Sequence, residues 1–70
     1  MRYFTFGFFE YKHSEVIKTG NGLFYSGQDK NIDKMKLIAR KALKDSEAVI
    51  TIQGIKELSK EAYDLVNGQD

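Results

Sequence analysis

The chain contains no cysteine, no proline and no tryptophan. Without cysteine there is no disulfide framework and no thiolate metal site, the usual staples of a very small secreted domain. A single histidine, His13, removes two-histidine metal sites and Cys–His pairs within one chain. Long hydrophobic runs are also missing: the aromatic start, Tyr3 to Phe9, is broken by Glu10 and Lys12. That stretch is too short for a signal-peptide core, and nothing approaches a membrane span, so a cytoplasmic protein without a membrane segment is expected. What is present favours folding. Hydrophobic residues at 41% and aromatics at 13% exceed the disordered profile, while 30% charge keeps the surface soluble. A chain of 70 residues builds one modest core, burying about 60% of its unfolded surface. Residues 1–70 therefore read as a single small domain, stabilised by packing and helped by self-association.

Net charge is +1, with an uneven distribution. Residues 1–29 balance, residues 30–45 carry six basic and two acidic groups, and residues 46–70 carry two basic and five acidic groups. The chain has a basic middle and an acidic end.

Tyr3 to Tyr11 suits a pleated surface, with Phe4, Phe6 and Phe8 on one face and Tyr3, Thr5, Gly7, Phe9 and Tyr11 on the other. His13 to Gly22 reads as a loop or ragged strand that closes in a turn at Thr19-Gly20-Asn21-Gly22, where glycine and asparagine accept positive φ. Glu15 to Lys18 either stays in that loop or joins the next strand across a glycine bulge. Leu23 to Ser26 forms a short second strand. Asn31 is the expected N-cap of a helix over Ile32 to Lys44, in which Ile32, Met35, Ile38, Ala39, Ala42 and Leu43 recur at steps of three and four. Ala48 to Ile52 forms a third strand with Ala48, Ile50 and Ile52 on one side. Leu58, Ser59 and Tyr63 have the spacing of a hydrophobic staple around an N-cap, which starts a short helix ending at Asn67-Gly68. The expected fold is α+β: a small two-layer β-β-α-β sandwich with a three-stranded sheet, one long helix on one face and a short C-terminal helix. A right-handed crossover puts the first strand in the middle.

Met1-Arg2-Tyr3-Phe4, Gly20-Asn21-Gly22 and the ending Ile50-Thr51-Ile52…Glu57-Leu58-Ser59-Lys60-Glu61-Ala62-Tyr63 form a pattern across most of the chain. It resembles a loose group of short, uncharacterised proteins encoded by phages, prophages and other bacterial mobile elements. No activity is assigned to that group. The resemblance implies a setting, a bacterial cytoplasm and an accessory role, and nothing about site residues.

Catalysis has little to work with. Ser14 adjoins His13, but neighbours on a strand point to opposite faces. Gly20-x-Gly22 meets Tyr25 where a dinucleotide fingerprint needs its third glycine, and no helix opens there. No acid–base pair can be assembled from named residues, so no enzyme, cofactor, metal or small-molecule substrate is expected.

Two signals concern nucleic acid. Phe6-Gly7-Phe8-Phe9-Glu10-Tyr11 copies the core of the aromatic box of RNA-recognition motifs, but Phe4-Thr5 stands where a basic residue and glycine belong. Its stacking rings also fall on Phe6 and Phe8, the positions expected under the helix. The second signal is a stripe of Lys30, Lys34, Leu37, Lys41 and Lys44 along the central helix, flanked by Lys36 and Arg40. Such a stripe can track phosphates with strong salt dependence, or simply keep the face solvated. Nucleic-acid binding through these six cations is the alternative reading.

The preferred reading is a protein-interaction module. Beyond the helix-covered face, Tyr3, Gly7, Phe9 and Tyr11 from the first strand meet Val49 and Ile55 from the third on an open sheet face. Three aromatics and two aliphatics there exceed scattered surface exposure, and such side chains dominate interface anchors. Mid-strand Gly7 suggests close approach by another backbone or ring. The partner is a protein or a second copy in a homodimer, unless the C-terminal helix folds back over that face through Tyr63, Leu65 and Val66. The short second strand also leaves an edge that another chain could extend.

Overall fold

A computed structural model describes residues 1–68. The elements run β1 (Arg2–Lys12), β2 (Glu15–Ser26), α1 (Ile32–Leu43), β3 (Val49–Leu58) and α2 (Lys60–Asn67). The strands form one antiparallel sheet in the order β2-β1-β3, so the first strand is central, as the crossover argument requires. The fold is small and α+β. Phe4, Phe6 and Phe8 alternate with half-buried residues along β1 and face α1, together with Phe24 of β2, Ile50 of β3 and Ala48 just before β3. Met35 and Ala39, one helical turn apart, are fully buried against them. Ile32 and Ala42 share the expected helical period but stay exposed.

Both helix starts follow local chemistry. The Asn31 side chain accepts from the Lys34 N–H and the Ser59 hydroxyl accepts from the Ala62 N–H, each at 3.1 Å. α1 ends with Lys44 in the left-handed conformation, φ 56°, and the Asp45 N–H donating back to the Arg40 carbonyl. α2 ends at Gly68, which keeps a right-handed conformation.

The hairpin departs from expectation. β2 is continuous from Glu15, and the chain reverses at His13 and Ser14, both at positive φ (54° and 64°), between the paired residues Lys12 and Glu15. Two positive-φ residues are what a two-residue hairpin turn with the twist of its strands needs. Gly20 and Gly22 are therefore not turn residues. They sit mid-strand opposite Phe8 and Phe6, and a Cβ at either would lie 2.5 Å from the Cζ of the facing ring. Each glycine provides the space that a phenylalanine ring fills. Gly7 has only ordinary contacts around its Cβ position, the nearest at 3.5 Å, so no close approach explains it. The bulge in this strand pair falls at Ile17, skipped between the pairs Glu10–Lys18 and Tyr11–Val16.

β3 extends six residues beyond Ile52, to Leu58, by absorbing a second bulge. Gly54, at φ 62°, supplies the left-handed residue, and the pairing steps from Gly7–Gln53 to Thr5–Lys56. The inserted residue inverts the alternation, so Ile55 packs against the helix-side core instead of lying on the open face with Val49.

Arg2 closes the other end of the core. Its Nε and Nη2 donate to the two carboxylate oxygens of Glu57 at 3.0 and 2.8 Å, and Nη1 donates to Asp29 Oδ1 at 3.1 Å. One guanidinium thereby ties the start of β1 to the end of β3 and to the loop after β2. The two bonds from Arg2 hold the Glu57 carboxyl below the usual carboxylate range.

Candidate functional site

The sheet face opposite α1 is divided in two by α2. Tyr63 packs on Tyr3 with ring centroids 4.8 Å apart and meets Tyr25 edge-on at 6.2 Å. Val66 and Asn67, near the end of α2, lie beside Thr5, Asn21 and Leu23. The helix has only eight residues, about 12 Å of length, so it covers this end and no more. Of the residues proposed for the open face, Tyr3 is thus covered from within the chain, and Ile55 has turned to the core. Leu65 and Val66 remain exposed, and the ring contacts of α2 with the sheet are those of Tyr63.

Gly7, Phe9, Tyr11 and Val49 are brought together at the other end. Cross-strand pairing sets Thr51 and Gln53 of β3 and Val16, Thr19 and Asn21 of β2 around them. Phe9 and Tyr11 are half-buried, stacked edge-to-face with centroids 6.3 Å apart. Val49 is 65% exposed and Val16 49%. None of these nine residues is charged, in a chain where 30% of residues are. Alternation along the strands identifies Phe9, Tyr11 and Val49 from sequence, but it misses Val16, Thr19 and Asn21. Their place on this face follows from the hairpin register, which the glycines of β2 disguise.

Burial raises the Tyr63 phenol above its ordinary range, and the nearby Tyr25, Asp64 and Tyr3 oxygens add to the shift. A phenol with a higher pKa folded than unfolded leaves stability intact below the unfolded value. Stability then falls as pH rises from about 10 through the folded value. Thermal melts between pH 8 and 11 are expected to show this loss, and Tyr63→Phe, which keeps the ring, to flatten it. An equal alkaline loss in both proteins would remove Tyr63 as its source.

The six cations proposed as the alternative site separate into two roles. Lys30, Lys34, Lys41 and Lys44 are exposed, Lys36 is half-buried, and no ion pair holds any of the five among the described residues. Arg40 is structural: its Nε donates to the Ala48 carbonyl at 3.0 Å and fixes the chain entering β3. Glu10 is the one buried charged residue among the described residues, on the core side between Lys18 and Ile50 in the sheet register. Among the described residues no three metal-ligating side chains cluster, and no helix is long and apolar enough to cross a membrane. Comparison of the chain with protein-family models, curated proteins and solved structures found no match.

Proposed function

We propose that this chain is a non-catalytic protein-interaction domain that docks through the hairpin end of its sheet, in the bacterial mobile-element setting that its sequence resembles. The observation that carries this reading is the uncharged face around Phe9, Tyr11 and Val49, left open by α2. Depletion of charge with retention of aromatic rings is the compositional mark of an interface core. A face without charge is also compatible with itself, because no like charges meet when two copies stack around a two-fold axis. The expected product is a homodimer.

Amide NMR spectra at two protein concentrations test this. Shifts that depend on concentration are expected at Gly7, Phe9, Tyr11 and Val49, and Phe9→Ala or Tyr11→Ala should each weaken association by about 1–2 kcal/mol. Association unchanged in both variants, or a monomer at all concentrations, rejects the reading. The rival, phosphate binding along α1, predicts salt-sensitive shifts confined to Lys30–Lys44 when mixed short RNA and DNA are added.

A further inference from the structure

β2 is an outer strand, and its last residues lie beside α1. The groove between them is lined by Leu23, Phe24 and Tyr25 on the strand and by Lys34, Leu37 and Ile38 on the helix. It continues along Leu37 and Ile38 to Arg40, Lys41 and Lys44 at the end of α1, where Asp45 is the one acidic residue of the lining. Leu37, 57% exposed, thus lies between lysines that have no acidic partner among the described residues. From Lys18 to Ser26 the pairing of β2 with β1 is regular, so the outward backbone groups of that stretch form an even row. The other edge, β3, is broken by the Gly54 bulge, which spoils it as a template.

We infer that this edge and groove accept an extended acidic segment of another protein, added to the sheet as a fourth strand beside β2. Main-chain hydrogen bonds to the free edge supply the register-independent part of such binding, and side-chain pockets supply selectivity. Side chains of the added strand that point to the α1 side meet Leu37 and the ammonium groups of Lys34 and Lys41. An apolar contact flanked by carboxylates matches that surface. The same charges argue against a second copy as the occupant. Pairing β2 with β2 across a two-fold would set both α1 helices on one face of the joined sheet, with Lys34 of each beside the seam and Lys41 about two turns further along the same helix. Lysine beside an exposed edge is a common guard against such self-pairing. A nucleic acid would use the lysines but neither the strand edge nor Leu37. The inference concerns the opposite side of the molecule from the uncharged sheet face and does not rest on docking there.

The experiment is an amide NMR titration of the full chain with a blocked octapeptide that has threonine at its odd positions and glutamate, valine, glutamate and valine at its even ones, so that one face of the extended peptide alternates carboxylate with apolar side chain. The same peptide with lysine for glutamate, and a single-stranded oligonucleotide, serve as comparisons. Shifts and slowed amide exchange are expected along Lys18–Ser26 and at Leu37 and Ile38 with the glutamate peptide, and no response to the lysine peptide. Lys34→Glu with Lys41→Glu should weaken binding by about tenfold, while Phe9→Ala with Tyr11→Ala should leave it unchanged. The substituted lysines are exposed, and circular dichroism of each variant verifies the fold. No response to the glutamate peptide at millimolar concentration overturns the inference, as does an equal response to both peptides. Shifts confined to α1 with the oligonucleotide, and none with the glutamate peptide, would assign the lysines to phosphate and also overturn it.

Discussion

Gly22→Ala is expected to lower the unfolding free energy by about 1–3 kcal/mol, measured by urea denaturation. The sign is the informative part. Alanine ordinarily outperforms glycine within a strand by roughly 0.5–1 kcal/mol, because it has less backbone freedom to lose. At position 22 the added methyl would lie 2.5 Å from Cζ of Phe6, whose ring is only 1% exposed and has nowhere to go. Either the ring leaves its rotamer or β1 and β2 separate locally, and both cost packing. Gly27 supplies the control, since a methyl there meets nothing within 4 Å. Gly27→Ala should be neutral or slightly stabilising. If Gly22→Ala also proves neutral, the ring-over-glycine packing is wrong. Phe6→Leu combined with Gly22→Ala should lose less than the two single changes summed, because the shorter side chain vacates the contested space.

Met35→Ala is expected to cost about 2–5 kcal/mol. Met35 has no exposed surface and sits on the turn of α1 that meets the phenylalanine face of β1. Truncation leaves a cavity that the surrounding rings cannot collapse into without giving up their rotamers. The loss is large for a chain this short, whose whole stability is of the order of 4–10 kcal/mol. The melting temperature should fall by at least about 10 °C. Met35→Leu, nearly equal in volume, should cost less than about 1.5 kcal/mol. A small effect of Met35→Ala, similar to that of Met35→Leu, would mean that α1 does not seat this side chain on the sheet.

Several elements of the fold are legible in the amino-acid sequence because their causes are local. Asn31 and Ser59 cap helices through their own side chains and backbone N–H groups three residues away. The three- and four-residue steps that bring Met35 and Ala39 to one side of α1 are set by helix geometry. The two faces of β1 follow from strict alternation along its length. Glycine is the misleading signal. In Gly20-Asn21-Gly22 it has the chemistry of a turn, and nothing within ten residues of sequence shows that Phe6 and Phe8 fill the space above it. His13 and Ser14 carry the turn with no glycine at all.

Local pattern along the chain is enough to say which side of the central strand is core, where both helices begin, and that Phe9 and Tyr11 face away from α1. Those features depend on periodicity and on contacts between near neighbours in the chain. The remaining features come from contacts between distant parts of the chain. Pairing across strands placed the bulge at Gly54 and so moved Ile55 into the core. The eight-residue length of α2 let it cover Tyr3 while leaving Phe9, Tyr11 and Val49 open. The lie of α1 over the sheet set Lys34 and Leu37 beside the last residues of β2. Each of these outcomes turns on a single residue's shift in register or on a helix's reach. A one-residue shift exchanges the two faces of a strand, while the local composition that a sequence displays stays the same.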